Sequence, residues 1–126
     1  PWDSHRNAEA AKDAGMNWRL PCESNWWPCE NLDNAQTGIH DYFGFLKYGY
    51  GRLVAQLSVD IRNGLVGRDE AEALMRVREG LFPDAYMGVP LAKILDEIDI
   101  SQGAFDMLVE QFTNKSIFGV SEAVAC

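Results

Sequence analysis

Seven side chains in the middle of the sequence are of types that bind or polarise a small substrate. They are His40, Asp41, Lys47, Tyr48, Arg52, Asp60 and Arg62. An arginine can hold a phosphate or a carboxylate through two parallel hydrogen bonds, whereas a lysine acts as a point charge. Fixed cations and donors stabilise negative charge on a phosphate or a tetrahedral carbon in a dry site. We predict substrate-binding roles for these seven residues and assign a catalytic role to none of them.

The spacing of two of these residues predicts a shared helix face. His40 and Lys47 are seven residues apart, so on one helix they lie two turns apart on the same side and could line a pocket. For His40, the alternative is a structural pairing with its neighbour Asp41.

A second polar line comprises Arg52, Gln56 and Asp60, which follow one another at intervals of four residues. This line predicts either a ligand-facing row or a solvated helix face with weak support between neighbouring turns. Asp60 and Arg62 are two residues apart, so on a helix they point in different directions and must meet different partners. Arg62 near a helix C-terminus also has a structural explanation in the helix dipole.

The segment that carries the first candidates mixes aromatic residues with glycines. Residues 38–52 contain five aromatic residues and four glycines. Aromatic residues at helical spacing predict a core, and Tyr48 and Tyr50, which flank glycines, are the ones most suited to contact a ligand. Upstream, Trp26 and Trp27 could stack on a sugar ring or anchor a loop.

The hydrophobic pattern predicts a mostly α fold, a small helical domain of about five helices with a long, ordered, Trp-rich loop near the N-terminus. The predicted helices cover residues 3–14, 35–63, 68–79, a segment that opens with Pro90 in its first turn, and a segment that follows Ser101. Gly49 and Gly51 predict either a break or a tight contact between two helices within 35–63. We predict a helical domain over residues 1–115 and a divergent tail over residues 116–126.

Composition and charge argue against two classes of partner. The 126 residues are 47% hydrophobic, which is enough for a folded core, and no run of apolar residues is long enough to span a membrane. The net charge is −8, and residues 67–112 contain ten acidic and four basic residues. Because nucleic acid requires a basic surface, we expect neither nucleic acid nor a membrane as a partner.

The three cysteines do not indicate a disulfide framework. Six residues separate Cys22 from Cys29, whereas zinc sites prefer about two to four. We therefore predict that Cys22, Cys29 and Cys126 are free thiols, with a redox or metal module as the weaker alternative. Free thiols fit a cytoplasmic location.

Longer motifs in the same region resemble a known enzyme family. The motifs are Gly38-Ile39-His40-Asp41-Tyr42-Phe43, Leu46-Lys47-Tyr48-Gly49-Tyr50-Gly51-Arg52 and Ser58-Val59-Asp60-Ile61-Arg62-Asn63-Gly64. The segments 1–7, 30–34 and 67–71 are similar as well. Residues 1–115 resemble the C-terminal region of the bacterial N-acetyl sugar amidotransferases of lipopolysaccharide O-antigen and nonulosonic-acid biosynthesis.

The resemblance implies an activity and a set of partners. Such enzymes use ATP, with magnesium, to activate an acetamido carbonyl on a sugar, and ammonia from a separate glutaminase subunit then gives an acetamidino group. The family binds ATP in an N-terminal pyrophosphatase-type domain through a Ser-Gly-Gly-x-Asp-Ser loop. Neither this loop nor another Gly-rich phosphate loop occurs in the 126 residues. We therefore expect no cofactor in this chain, and an N-terminal ATP-binding domain as its partner.

Two functions follow from these observations. The first is the substrate-side part of an ATP-dependent amidotransferase, not active alone, with an acetamido sugar as its substrate. The alternative is a stand-alone helical binding or oligomerisation module without catalysis, whose exposed apolar face could form homo-oligomers.

Overall fold

The computed structural model describes residues 3–18 and 25–119. Within these ranges the chain forms seven helices and one small antiparallel sheet, so the prediction of a mostly α fold is confirmed. The helices are α1 (Ser4–Asp13), α2 (Thr37–Tyr48), α3 (Arg52–Arg62), α4 (Arg68–Arg78), α5 (Leu91–Glu97), α6 (Gln102–Phe112) and α7 (Lys115–Phe118). The strands β1 (Ala85–Tyr86) and β2 (Val89–Pro90) form a hairpin. None of the helices in the described ranges is long and apolar enough to cross a membrane.

The predicted helix boundaries rest on identifiable caps. Asp3 precedes α1, and its Oδ1 accepts a hydrogen bond from the backbone N–H of Arg6 at 3.1 Å. Ser101 caps α6 in the same way. Gly49 ends α2 in the left-handed conformation, with φ of 75°, which a residue with a side chain rarely adopts. The predicted break within 35–63 is therefore confirmed.

Two details differ from the prediction. The described ranges contain seven helices where about five were predicted, because the break within 35–63 makes two helices of that segment and because α7 adds one further turn. Asn114 begins α7: its side-chain oxygen accepts from the N–H of Ser116, and its own N–H donates to the carbonyl of Leu46 at 2.8 Å. Pro90 lies before α5, not in its first turn, because it closes the β1–β2 hairpin.

Two separate apolar clusters form the core. The first joins α3 to α4 through Leu53, Leu57 and Ala71. The second joins α5 to α6 through Leu91, Leu95 and Phe105, against which Ile39 and Phe43 of α2 pack. The helices α2 and α3 therefore belong to different clusters, and an ion pair between Asp41 of α2 and Arg52 of α3 links them. This ion pair positions the candidate site.

Tyr86 of β1 fixes the loop before α2. Its side chain is only 1% exposed and packs so closely on α2 that a Cβ at Gly38 would lie 2.8 Å from the tyrosine ring. Its hydroxyl donates to the backbone carbonyl of Asn31 at 3.4 Å. This close approach requires a glycine at position 38. The loop around Asn31 is held against the helix by the same tyrosine.

Candidate functional site

An ion pair between Asp41 and Arg52 is the centre of the candidate site. Arg52 lies in the first turn of α3, and its Nε and Nη2 donate to Oδ2 and Oδ1 of Asp41 on α2 at 2.5 and 2.8 Å. Asp41 is buried, and the Arg52 side chain is 26% exposed. The hydrogen bond to Asp41 raises the pKa of Arg52, so the guanidinium keeps its charge. Two parallel hydrogen bonds also fix its direction.

Three further polar groups surround this pair. Glu30 places its Oε2 3.8 Å from Nη1 of Arg52. The Asn31 amide, with its oxygen turned towards Arg52, accepts from Nη1 at 3.1 Å. His40 lies with Nδ1 3.1 Å from Asp41, and its side chain is 82% exposed. With two carboxylates around one guanidinium, the centre carries no surplus positive charge.

Arg52 lines two clefts. The loop cleft, of about 380 Å³, is lined by Asn31, Asn34, Gln36, Thr37, His40 and Arg52. The Trp27 cleft, of about 200 Å³, is lined by Trp27, Glu30, Arg52, Ala55, Gln56 and Val59. The loop cleft is walled by amides, a hydroxyl and an imidazole, whereas the Trp27 cleft combines apolar walls with polar groups. Arg52 is the one residue common to both sets.

Gln56 holds the loop that forms one wall of the Trp27 cleft. Its Oε1 accepts from the backbone N–H of Trp26 at 2.7 Å, and its Nε2 donates to Asn25 and to Glu30, at 2.8 Å each. Gln56 is 3% exposed, so the interpretation of this position as part of a solvated helix face is wrong. Because all these hydrogen bonds are buried or half-buried, the direction of Glu30 is set by α3.

Asp60 binds three ring N–H groups in the interior. It accepts from Nε1 of Trp26 at 3.1 Å and from Nε1 of Trp27 at 3.2 Å, and His5 Nε2 lies 2.7 Å away. Asp60 is 1% exposed, so the solvated-face interpretation is wrong here as well. The two tryptophans anchor the loop, and His5 ties α1 to α3. Asp60 lines neither Arg52 cleft, and its predicted role in substrate binding stays a prediction.

The remaining predicted site residues lie elsewhere. Lys47 places its Nζ 4.4 Å from the centre of the Phe112 ring on α6 and does not line the loop cleft of His40, and the pocket shared by the two residues stays a prediction. Tyr48 is 62% exposed and lies beside Tyr50, with ring centres 6.1 Å apart. Arg62 lines a different cleft between α3 and α4. The structure thus brings together His40, Asp41 and Arg52 and separates the other four.

The segment that forms these clefts matches a known family. A family model described as "LPS biosynthesis protein WbpG-like, C-terminal domain" matches residues 23–125. The chain belongs to this family. The predicted resemblance to the C-terminal region of lipopolysaccharide biosynthesis proteins is therefore confirmed. Searches of curated proteins and of solved structures gave no match.

The match to the WbpG-like domain includes every residue that lines the two Arg52 clefts. Helix α1 precedes the matched range, although His5 of that helix contacts Asp60 within it. The matched range runs past residue 115, and the division of the chain at that position stays a prediction.

Sequence reasoning missed several residues of this WbpG-like site. Glu30, Asn31 and Gln36 were not among the seven candidates, although the first two lie in the 30–34 segment that carried part of the resemblance. A polar loop residue shows no periodicity that indicates which way it faces. Besides the resemblance of the 30–34 segment, the available signal was the concentration of acids and amides directly before α2.

Glu79, at the C-cap of α4, was missed as well. A Cβ at Gly51 would collide with its Oε1. Burial raises the pKa of Glu79, and the backbone N–H groups of Gly51 and Val54 oppose this rise. These N–H groups lie at the start of α3 and face the carboxylate. Their geometry falls short of full hydrogen bonds, and neither carboxylate oxygen has a hydrogen-bond partner within the described ranges. The two oxygens of the Glu79 carboxyl group are therefore buried without a hydrogen-bond partner in the described ranges, near Asp41.

The cysteine prediction is tested at one position. Cys29 is a half-buried free thiol, and burial raises its pKa, which disfavours the reactive thiolate. Cys22 and Cys126 lie outside the described residues. Among the residues that the structure describes, no three His, Cys, Asp or Glu side chains gather into a metal-binding group.

Proposed function

We propose that this WbpG-like domain binds the acetamido sugar of an ATP-dependent amidotransferase, in which ammonia converts the acetamido group to an acetamidino group. The observation that carries the proposal is that Arg52, fixed by Asp41, lines two clefts of different chemistry. A guanidinium already offset by Asp41 and Glu30 favours a neutral hydrogen-bonding ligand over an anion. A sugar with an acetamido group is such a ligand.

The loop cleft suits the hydroxyl groups of the sugar. Asn31, Asn34 and Gln36 each present an amide that can both donate and accept, as a sugar hydroxyl does. Thr37 and His40 extend the same chemistry along the first turn of α2. A volume of about 380 Å³ is within the range of sites that hold small molecules.

The Trp27 cleft suits the acetamido group. Its methyl would pack against Trp27, Ala55 and Val59, which are the apolar residues of the lining. The amide N–H would donate to Glu30, and the carbonyl oxygen would accept from Arg52, the residue that the two clefts share. Such binding holds the reacting carbonyl at a fixed position, which lowers the entropic cost of the reaction.

The site residues do not fit ATP. In the proposed reaction, ATP activates the carbonyl. A site that binds a triphosphate requires several hydrogen-bond donors or cations that are not already paired. Arg52 is already paired with Asp41, and Gly49-Tyr50-Gly51 joins two helices and does not follow a strand. We assign ATP and magnesium to an N-terminal domain, the ammonia to a glutaminase partner, and the reaction to the cytoplasm.

The test uses a longer protein in which this domain is joined to the ATP-binding domain, supplied with ATP, ammonia and an acetamido sugar. The product exchanges one carbonyl oxygen for an imino group, which mass spectrometry detects. We expect Arg52→Lys to lower kcat/KM by about tenfold or more, because the two parallel hydrogen bonds to Asp41 are lost. Arg76→Gln, an exposed change on α4, is the control. An unchanged kcat/KM in Arg52→Lys would contradict the proposal.

A second function is favoured by one exposed surface. The side chains of Tyr48, Tyr50, Ile117 and Phe118 are 62%, 60%, 49% and 41% exposed. Ile117 packs so close to Gly49 that a Cβ there would lie 2.9 Å from it, so the aromatic and aliphatic groups are neighbours. Such a surface suits the alternative of a binding or oligomerisation module. Sedimentation as a monomer at all concentrations would contradict self-association.

A further inference from the structure

A third cleft lies between α3 and α4. Its volume is about 400 Å³, and it shares no lining residue with either Arg52 cleft. It is lined by Ser58, Ile61, Arg62, Arg68, Ala71, Glu72 and Met75. We call it the Arg62 cleft. The function proposed above does not use it.

Helix geometry concentrates positive charge on this cleft. Arg62 ends α3 and Arg68 begins α4, and the turn between them is closed by the N–H of Leu65, which donates to the carbonyl of Asp60. Arg68 and Glu72 are four residues apart and share the cleft face, whereas Glu70 is two residues from each and lies on the far side of α4. Asp60 likewise points away from Arg62, into the interior.

The one acid of the lining is already paired. Glu72 has Arg76 as its ion-pair partner at 3.8 Å. Arg62 and Arg68 are exposed, and neither guanidinium has a hydrogen bond or ion pair with another residue in the described part of the chain. In a chain with a net charge of −8, two such arginines in one cleft form a local site for an anion.

The helix dipole explains one of these arginines and not the other. A cation in the last turn of a helix is favoured, which accounts for Arg62, whereas a cation at the first residue is disfavoured. Arg68 is the first residue of α4. A bound anion between the two guanidiniums would remove this unfavourable interaction.

The floor of the cleft is apolar. Ala71 is buried in the first apolar cluster, and Ile61 and Met75 pack against that cluster at the edge of the cleft. We propose that the Arg62 cleft binds an organic phosphate. Arg62 and Arg68 hold the phosphate oxygens, for which the guanidinium geometry is suited, and the apolar body of the ligand covers Ile61 and Met75.

The experiment is a titration of the isotopically labelled 126-residue chain with phenyl phosphate at low salt, followed by NMR. We expect saturable shifts in residues 58–75 and weaker effects from inorganic phosphate, which lacks the apolar body. In the double variant Arg62→Gln/Arg68→Gln, the affinity should fall by about tenfold or more, because charge-assisted hydrogen bonds are lost. Arg6→Gln, on the exposed side of α1, makes the same chemical change elsewhere and should leave the affinity unchanged.

Three outcomes would overturn the proposal. The first is an equal loss of affinity for phenyl phosphate in Arg6→Gln and in the double variant, which would indicate non-specific electrostatic attraction. The second is an equal response to phenol, which indicates an apolar pocket alone. The third is binding of an acidic peptide at residues 58–75 without binding of phenyl phosphate. Because Arg52→Lys leaves this cleft intact, failure of the sugar site and failure of the phosphate site can be told apart.

Discussion

Arg52 holds Asp41 through two hydrogen bonds across the turn that separates α3 from α2. The two helices belong to different apolar clusters, and this pair links them directly. Arg52 of this pair also lines both clefts assigned to the sugar. Its loss should therefore affect both the stability of the chain and the binding of the substrate.

Asp41→Asn tests the structural part of this role. The change leaves the half-buried Arg52 without its carboxylate, and we expect the free energy of unfolding to fall by about 1–3 kcal/mol. Urea denaturation followed by circular dichroism measures it. Asp33→Asn, at an exposed loop position, is the matched control and should have little effect. Equal small changes in the two variants would show that the pair contributes nothing to the fold.

Asp60→Asn tests the anchor of the Trp-rich loop. The amide cannot accept from both indoles and from His5 as the carboxylate does, and we expect a loss of about 2–3 kcal/mol of stability. Tryptophan emission should also shift to the red, because Trp26 and Trp27 lose their fixed positions. The comparison is Asp69→Asn, an exposed change in the first turn of α4. If both variants kept the emission of the parent, the indoles would not depend on Asp60.

Two glycines of α2 should respond in opposite directions to alanine. A Cβ at Gly38 meets Tyr86 at 2.8 Å, so Gly38→Ala should cost about 1–3 kcal/mol through overpacking. A Cβ at Gly44 meets nothing within 4 Å, so Gly44→Ala should stabilise the chain by about 0.5–1 kcal/mol through helix propensity. Thermal denaturation of the two variants provides the measurement. A stabilised Gly38→Ala would contradict the packing of β1 on α2.

Glu79 should make stability depend on pH. Burial raises its pKa in the folded state above the ordinary value of 4.5, and the charge of Asp41 adds to the rise. The protonated form therefore contributes stability that is fully present below pH 4.5 and is lost as the pH rises through the raised pKa. As the pH rises from 4.5 towards neutral, we expect the free energy of unfolding of the parent to fall relative to that of Glu79→Gln. Glu97→Gln, an exposed change on α5, should show no such trend.

The helices could be predicted from the sequence because their signals are local. These signals are the spacing of the Ala, Leu and Phe residues, the caps Asp3 and Ser101, and the glycine at position 49. Each of them acts within one or two turns. The α7 turn was missed because it depends on Asn114, which bonds the end of α2, a contact between residues distant in sequence.

The candidate site could be predicted only in part. Asp41, Arg52 and His40 were identified by type, and the contact of His40 with Asp41 was one of the two alternatives for that histidine. The pairing itself depends on the turn between α2 and α3, which sequence spacing does not determine. Asp60 was placed on a polar helix line because periodicity identifies a face but not what covers it. Here that face is covered by the two indoles of the preceding loop.

The most direct test of the central claim is an NMR titration of the 126-residue chain with N-acetylglucosamine, with glucose as the ligand that lacks the acetamido group. The account predicts saturable shifts in residues 27–40 and 52–59, weaker shifts with glucose, and a clear loss of affinity in Arg52→Lys while the fold is retained. Shifts confined to residues outside these two ranges, or an equal response to glucose, would contradict the assignment of the Arg52 clefts to an acetamido sugar.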